Sequence, residues 1–90
     1  IAMPNTAVTV GESMTCFCLN TEAEKQVRTI ESIFNSLGKS MQVKEELMQA
    51  ATVICASGVA FWMRFIRATM QGAVQLGFES EEARYIAAQT

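Results

Sequence analysis

From Glu45 to Gly77 the chain reads EELMQAATVICASGVAFWMRFIRATMQGAVQLG, and no charged residue falls between Leu47 and Met63. Two acids open the run, which suits a helix N-terminus because carboxylates offset the positive end of the macrodipole. Further on, Phe61, Phe65, Ala68, Gly72 and Leu76 share one stripe, with Trp62, Ile66 and Met70 beside it. A face that wide predicts a core or an interface rather than a cofactor box. A membrane span needs about twenty apolar residues. Thr52, Ser57 and Gly58 inside the run, with Arg64 and Arg67 directly after it, argue against a span. The expectation is a helix buried on all sides, covered by a second copy of the chain, by further sequence, or by both. Ser57-Gly58 is its weak point. Taken alone, a small pair reads as a packing notch or kink. The alternative is a new helix start, whose free amides bind carboxylates or phosphates.

The residues before this run alternate differently. Ile1 onward predicts a short strand into Pro4-Asn5-Thr6, where Pro4 suits a strand end and Asn5 and Thr6 suit a turn. Gly11-Glu12 separates this from SMTCFCL at 13–19, a strand that is largely apolar on both sides and so covered on both faces. Thr21 and Glu24 have capping-box spacing. Ala23, Val27, Ile30, Phe34 and Leu37 then recur on one helical face, and Gly38 is placed to close that helix. KSMQVK at 39–44 predicts a second strand, which completes a strand–helix–strand unit of an α/β sheet. After Gly77, Ser80 is expected to cap a last helix with Glu81 and Glu82 in its first turn and Ala83, Ile86 and Ala87 facing inward. The fold class is therefore α/β plus α: residues 1–44 of Rossmann-like character, residues 45–90 helical.

Composition narrows the chemistry. Half of the 90 residues are hydrophobic, and seven basic against nine acidic residues give a net charge of −2. No basic patch is dense enough to follow phosphates, so nucleic acid is not the expected partner. The chain has no histidine and no aspartate, which removes imidazole metal sites, a Ser-His-Asp triad and an aspartyl dyad. No metal site is expected. Cys16, Cys18 and Cys55 read as reduced structural thiols of a cytoplasmic protein, since Cys16-Phe17-Cys18 lacks the spacer of a redox or zinc motif. The chain opens at Ile1 and ends at Thr90 on a helix flank. It is expected to be an internal piece of a longer protein.

Four landmarks stand in order: MPNTAVTVGESMT at 3–15, LGK with EELM at 37–48, ASGVAF at 56–61, and LGFESEEARYIAAQT from Leu76 to the end. Together they resemble the pyrroline-5-carboxylate reductases, which write these landmarks MPNTP with GEGMT, SGSGPAY, and LGLPREEA with AAQT. The resemblance covers nearly the whole chain. It implies reduction of 1-pyrroline-5-carboxylate to proline with NADPH or NADH, by a Rossmann domain followed by helices that interlock with a second subunit in a homodimer or larger assembly. It also implies substrate-carboxylate binding by backbone amides of Ala56, Ser57, Gly58, Val59 and Ala60, which favours the helix-start reading of Ser57-Gly58. Pro4, Asn5 and Thr6 would face the cofactor. Glu45 would match an acid near the substrate pocket, or serve only as a helix N-terminal charge. No side chain is implied as a catalytic acid or base.

The chain departs from the family pattern at Ala7 (proline), Ser13 (glycine), Cys55-Ala56 (the first Ser-Gly) and Val59 (proline). Two other readings stay open: a non-catalytic helical dimerisation module, and a related two-domain oxidoreductase with another substrate. No G-x-G-x-x-G occurs in these residues, so they lack the turn that holds a dinucleotide pyrophosphate. The 90-residue polypeptide alone should therefore not turn over. Loss of NADPH absorbance with pyrroline-5-carboxylate at an ordinary enzymatic rate would contradict this.

Overall fold

The computed structural model describes residues 1–90. Contacts divide the chain into two compact units, Ile1–Val59 and Ala60–Thr90. The first is built on a three-stranded sheet of order β1-β2-β3, with β1 at Ala2–Met3, β2 at Ser13–Phe17 and β3 at Gly38–Gln42. β1 runs antiparallel to β2, pairing Ala2 with Phe17 and Met3 with Cys16. β2 and β3 are parallel, in register from Ser13–Gly38 to Phe17–Gln42. A parallel pair needs a long crossover, and helix α1 at Val27–Asn35 supplies it. The two strands of the expected strand–helix–strand unit are thus direct neighbours.

β2 is the centre of this unit. Ser13, Thr15, Cys16 and Phe17 are each 1% exposed, and Cys18 is also buried. Apolar character on both sides of the strand is matched by cover on both faces. The two polar residues inside it satisfy each other, Ser13 Oγ lying 3.3 Å from Thr15 Oγ1. Phe34 of α1 brings its ring centroid to 5.8 Å from that of Phe17. Ala23, Val27, Ile30 and Phe34 are half-buried, as the helical spacing predicts, while Leu37 stays exposed.

Two details of α1 differ from expectation. The Thr21–Glu24 capping box does not form. Asn20 caps instead, its Oδ1 accepting from the Ala23 N–H at 3.0 Å, and the first turn, Ala23–Gln26, is a 3₁₀ turn. Glu24 is drawn away to accept from Gln42 Nε2 at 3.2 Å. Gly38 does not close the helix, which ends at Asn35 with Ser36 as its C-cap; Ser36 Oγ donates to the Ile33 carbonyl at 2.7 Å. Gly38 opens β3 instead, at φ 145°, where the Ser13 backbone passes so close that a Cβ would lie 2.8 Å from the Ser13 carbonyl carbon.

The first unit also takes in the start of the apolar run, a 3₁₀ turn Glu45–Leu47 and helix α2 at Met48–Ala51, whose Met48 and Ala51 are buried. Glu45–Gln75 forms a helical run of 31 residues that length and composition alone would let cross a bilayer. Its longest element, α3 at Gly58–Gln75, buries only Gly58. The stripe expected to be covered is open: Phe61, Phe65 and Leu76 are exposed, and Trp62 is 71% exposed.

In the second unit α3 ends as the sequence predicts. Gly77 takes φ 106°, its N–H donates to the Val74 carbonyl, and the Phe78 N–H donates to the Ala73 carbonyl at 3.2 Å. Those two bonds make a Schellman motif. Helix α4, Ser80–Gln89, is capped one residue earlier than expected, by Glu79. Glu79 is extended at φ −64° and ψ 151°, and it forms a reciprocal box with Glu82, whose Oε2 accepts from the Glu79 N–H at 3.0 Å. Ser80 is already helical there. Ala83 and Ala87 face inward as expected, but Ile86 is 42% exposed.

Gly38→Ala should cost roughly 2–4 kcal/mol, because it combines positive φ with overlap onto strand backbone that cannot yield. Urea unfolding of the chain measures this. A change within about 0.5 kcal/mol would show that β3 can move away from Ser13.

Candidate functional site

The apolar run changes its hydrogen bonding at one place. After α2 the backbone widens into a π-helical turn, Thr52–Ala56, and the Ser57 N–H donates five residues back to the Thr52 carbonyl at 2.9 Å. Thr52 reinforces the widening by donating its Oγ1 to the Met48 carbonyl at 2.9 Å. Ser57 keeps helical angles, φ −78° and ψ −25°, but is a bend outside both helices, and α3 begins afresh at Gly58. The first amides of a helix have no carbonyl behind them. At Gly58 and Val59 they are therefore left for another acceptor. π turns are rare and often mark functional sites.

The interruption also strips amides from carbonyls at the end of the π turn. One of these, the Cys55 carbonyl, accepts from Asn5 Nδ2 at 3.1 Å. The other end of the same side chain, Oδ1, accepts from the Ala7 N–H at 3.1 Å and caps a 3₁₀ turn, Thr6–Val10, that ends at Gly11 with φ 73°. The Asn5 N–H donates to Ser13 Oγ at 3.4 Å. One asparagine thus ties together the turn after β1, the buried strand β2 and the π turn. Ser13, which stands where the resembling family has glycine, contributes the hydroxyl for the second of those ties.

Of the residues singled out in the sequence, the structure bonds Asn5 to Cys55, the residue directly before the Ala56–Gly58 segment. Asn5, Ala56 and Val59 are half-buried, Gly58 is buried and Ser57 is exposed. Pro4 and Thr6 flank Asn5 and are exposed. Ala60 is exposed and is the first residue of the second unit. Glu45 is exposed at the start of its 3₁₀ turn, and none of the bonds that hold the interruption involves it. Sequence reading missed the Cys55 carbonyl and Ser13. It also missed that Cys16 Sγ lies 3.4 Å from Cys55 Sγ, because nothing in a linear pattern links positions 39 residues apart. Burial, then the hydrogen bond to Cys55 and that neighbour's charge, push the Cys16 thiol up to about 11.

A parallel strand–crossover–strand unit that leads into apolar helices is the plan of Rossmann-like enzymes with a helical dimerisation domain. The comparisons make this specific. The family described as pyrroline-5-carboxylate reductase dimerisation matches residues 45–90. The chain belongs to the pyrroline-5-carboxylate reductase family. It is 41% identical over 101 residues to pyrroline-5-carboxylate reductase 1 of Dictyostelium discoideum, covering 99% of this chain and 18% of the relative. It is 42% identical over 89 residues to the reductase of Schizosaccharomyces pombe, covering 98% of this chain and 32% of the relative. Among solved structures it superposes on the Plasmodium falciparum reductase with NADP bound at a TM-score of 0.92 and 31% identity, covering 98% of this chain and 36% of that one. The Coxiella burnetii reductase gives 0.93 and 29%, covering 98% and 33%. The chain therefore spans about a third or less of the proteins it matches.

Val59 tests where α3 begins. Proline is tolerated in a first helical turn but costs about 3 kcal/mol in a helix interior. Val59→Pro should change stability by less than about 1 kcal/mol if the ladder is interrupted at Ser57. A loss near 3 kcal/mol in thermal unfolding would show that the Val59 amide is bonded within a continuous helix.

Proposed function

We propose that the protein carrying this chain reduces 1-pyrroline-5-carboxylate to proline with NADPH or NADH, as a homodimer or larger assembly. Membership in the family supports the reaction class. The observation that supports the site most is the 3.1 Å bond from Asn5 to the Cys55 carbonyl, which holds the Pro4–Thr6 turn beside the start of α3. In this reading the turn faces the nicotinamide and the α3 amides face the substrate carboxylate.

The residues present fit the nicotinamide end of a dinucleotide and not its phosphates. Pro4 and Thr6 are exposed beside a side chain that is fixed at both ends, so the turn offers a rigid surface. No glycine-rich phosphate turn occurs among these residues. When bound, the cofactor supplies the hydride that adds to the carbon of the protonated imine. The chain's part is positional. Gly58 and Val59 amides hold the carboxylate, with Ala56, Ser57 and Ala60 completing that segment, and Asn5 keeps it in register with the turn. Holding two reactants in a fixed approach is a large share of what such an enzyme must do. Glu45 belongs to this proposal as an acid on the substrate side. The open stripe of α3, with Phe61, Trp62 and Phe65, is the surface that a second subunit covers. The three free cysteines support a cytoplasmic location.

Ser57→Asp separates anchoring from folding. An aspartate before Gly58 puts a carboxylate at the positive end of α3 and should leave that helix as stable or more so. The same charge repels a carboxylate bound at the first amides. In the full reductase the KM for pyrroline-5-carboxylate should rise about tenfold or more at low salt, a difference of about 1.4 kcal/mol. An unchanged KM would place the carboxylate elsewhere, and absence of turnover in the unaltered protein would overturn the proposed reaction.

A further inference from the structure

We propose that Cys16 and Cys55 form a reversible thiol pair, closing to a disulfide on oxidation by a peroxide and thereby displacing the start of α3. Cys16 is fixed in β2, between β1 and β3, and is 1% exposed. Cys55 lies half-exposed in the π turn. Both are free thiols, and their sulfurs are 3.4 Å apart. Cys18 is buried and has no such neighbour, so it serves as an internal control.

The chemistry balances with hydrogen peroxide as oxidant. The Cys55 thiolate attacks one peroxide oxygen, the O–O bond breaks, and the departing hydroxide takes up a proton to leave as water. This gives a sulfenic acid at Cys55. The Cys16 sulfur then attacks the Cys55 sulfur. The S–S bond forms, the S–O bond breaks, and the hydroxyl leaves as water with the Cys16 proton. Two thiols lose two electrons and two protons, and one peroxide becomes two waters. Cys55 reacts first because solvent reaches it, and because the raised pKa of Cys16 keeps that thiol protonated. A small dithiol reverses the bond by exchange.

A disulfide requires the sulfurs to close from 3.4 Å to about 2.05 Å, and β2 is paired on both edges. The movement therefore falls on the π turn. The Cys55 carbonyl shifts relative to Asn5, and Ser57 and Gly58 shift with it. That this alters catalysis rests on the reductase reading above. An ångström-scale displacement of an anchoring group can cost about 10²-fold in rate.

The test uses the full-length protein. After hydrogen peroxide, free thiols are blocked with a maleimide under denaturing conditions and mapped by peptide mass. The expected result is a Cys16–Cys55 cross-linked peptide two hydrogens lighter than its parts, with the maleimide on Cys18. Maleimide on all three, sulfinic acid at Cys55 without a cross-link, or a bridge through Cys18 would overturn the pairing. Cys55→Ser should keep both remaining thiols after peroxide, and loss of the Cys16 thiol there would overturn it too. Turnover of the bridged protein should fall about 10²-fold and return with dithiothreitol, while Cys55→Ser keeps its own untreated rate through peroxide. A bridge that leaves turnover unchanged would overturn the switch. If the protein shows no imine reduction before oxidation, the reductase reading fails, and the thiol map still decides the pairing.

Discussion

A helix that changes from four-residue to five-residue bonding leaves carbonyls without amides, and a buried carbonyl without a donor costs about 1–3 kcal/mol. In this chain the Asn5 amide meets that need at Cys55. That contact in turn depends on the rest of the first unit. Asn5 can reach Cys55 only because its own backbone is held by Ser13 and its Oδ1 by Ala7. Ser13 is held because it pairs with Gly38 of β3 and its N–H donates to the Leu37 carbonyl. Gly38 in turn lets β3 pass close enough to Ser13 to make that pairing. The interruption in the apolar run is thus supported from the sheet, by a side chain set in place by the first turn of the chain.

Much of the fold was legible because burial imposes periods. SMTCFCL is apolar on both sides, and β2 is covered on both faces. The spacing of Ala23, Val27, Ile30 and Phe34 gave the inward face of α1, and Gly77 gave the end of α3. Caps were legible by type and not by residue. At both helix starts a neighbour displaced the expected residue, Asn20 for Thr21 and Glu79 for Ser80. Several side chains near a helix start can accept from its first amides, and the winner depends on where the backbone turns. Gly38 was misread for a related reason. A glycine after a helical stripe suits a C′ position, but here a long-range approach to Ser13 requires it, and no local pattern carries that.

The site was less legible than the fold. The weak point at Ser57-Gly58 was visible as a small pair, but its residues alone favoured packing. Resemblance to a family moved the reading toward a helix start, and the backbone shows an interrupted ladder there. What no sequence pattern could supply were the contacts across 50 residues from Asn5 and across 39 from Cys16. The apolar stripe shows the same limit. Its width was read correctly, but one chain does not bury it, since Trp62 and Phe65 remain largely exposed. Periodicity reports that a face needs cover and does not name what covers it.

The departures from the family motif then become physically connected. Where the motif of the resembling family carries proline, Val59 keeps an N–H, so proline does not enforce the interruption in this chain. The enforcement comes from elsewhere: Thr52 back-bonds to Met48, the π turn closes on Ser57, and Asn5 takes up the Cys55 carbonyl. Cys55 and Ser13 are also departures, and each adds a contact that ties the interruption or the Asn5 turn to β2. A hydrogen-bonded interruption is more yielding than one fixed by a ring, because its bonds can be exchanged at about 1 kcal/mol each. The position of the helix start in this chain therefore rests on the hydrogen bonds around Cys55.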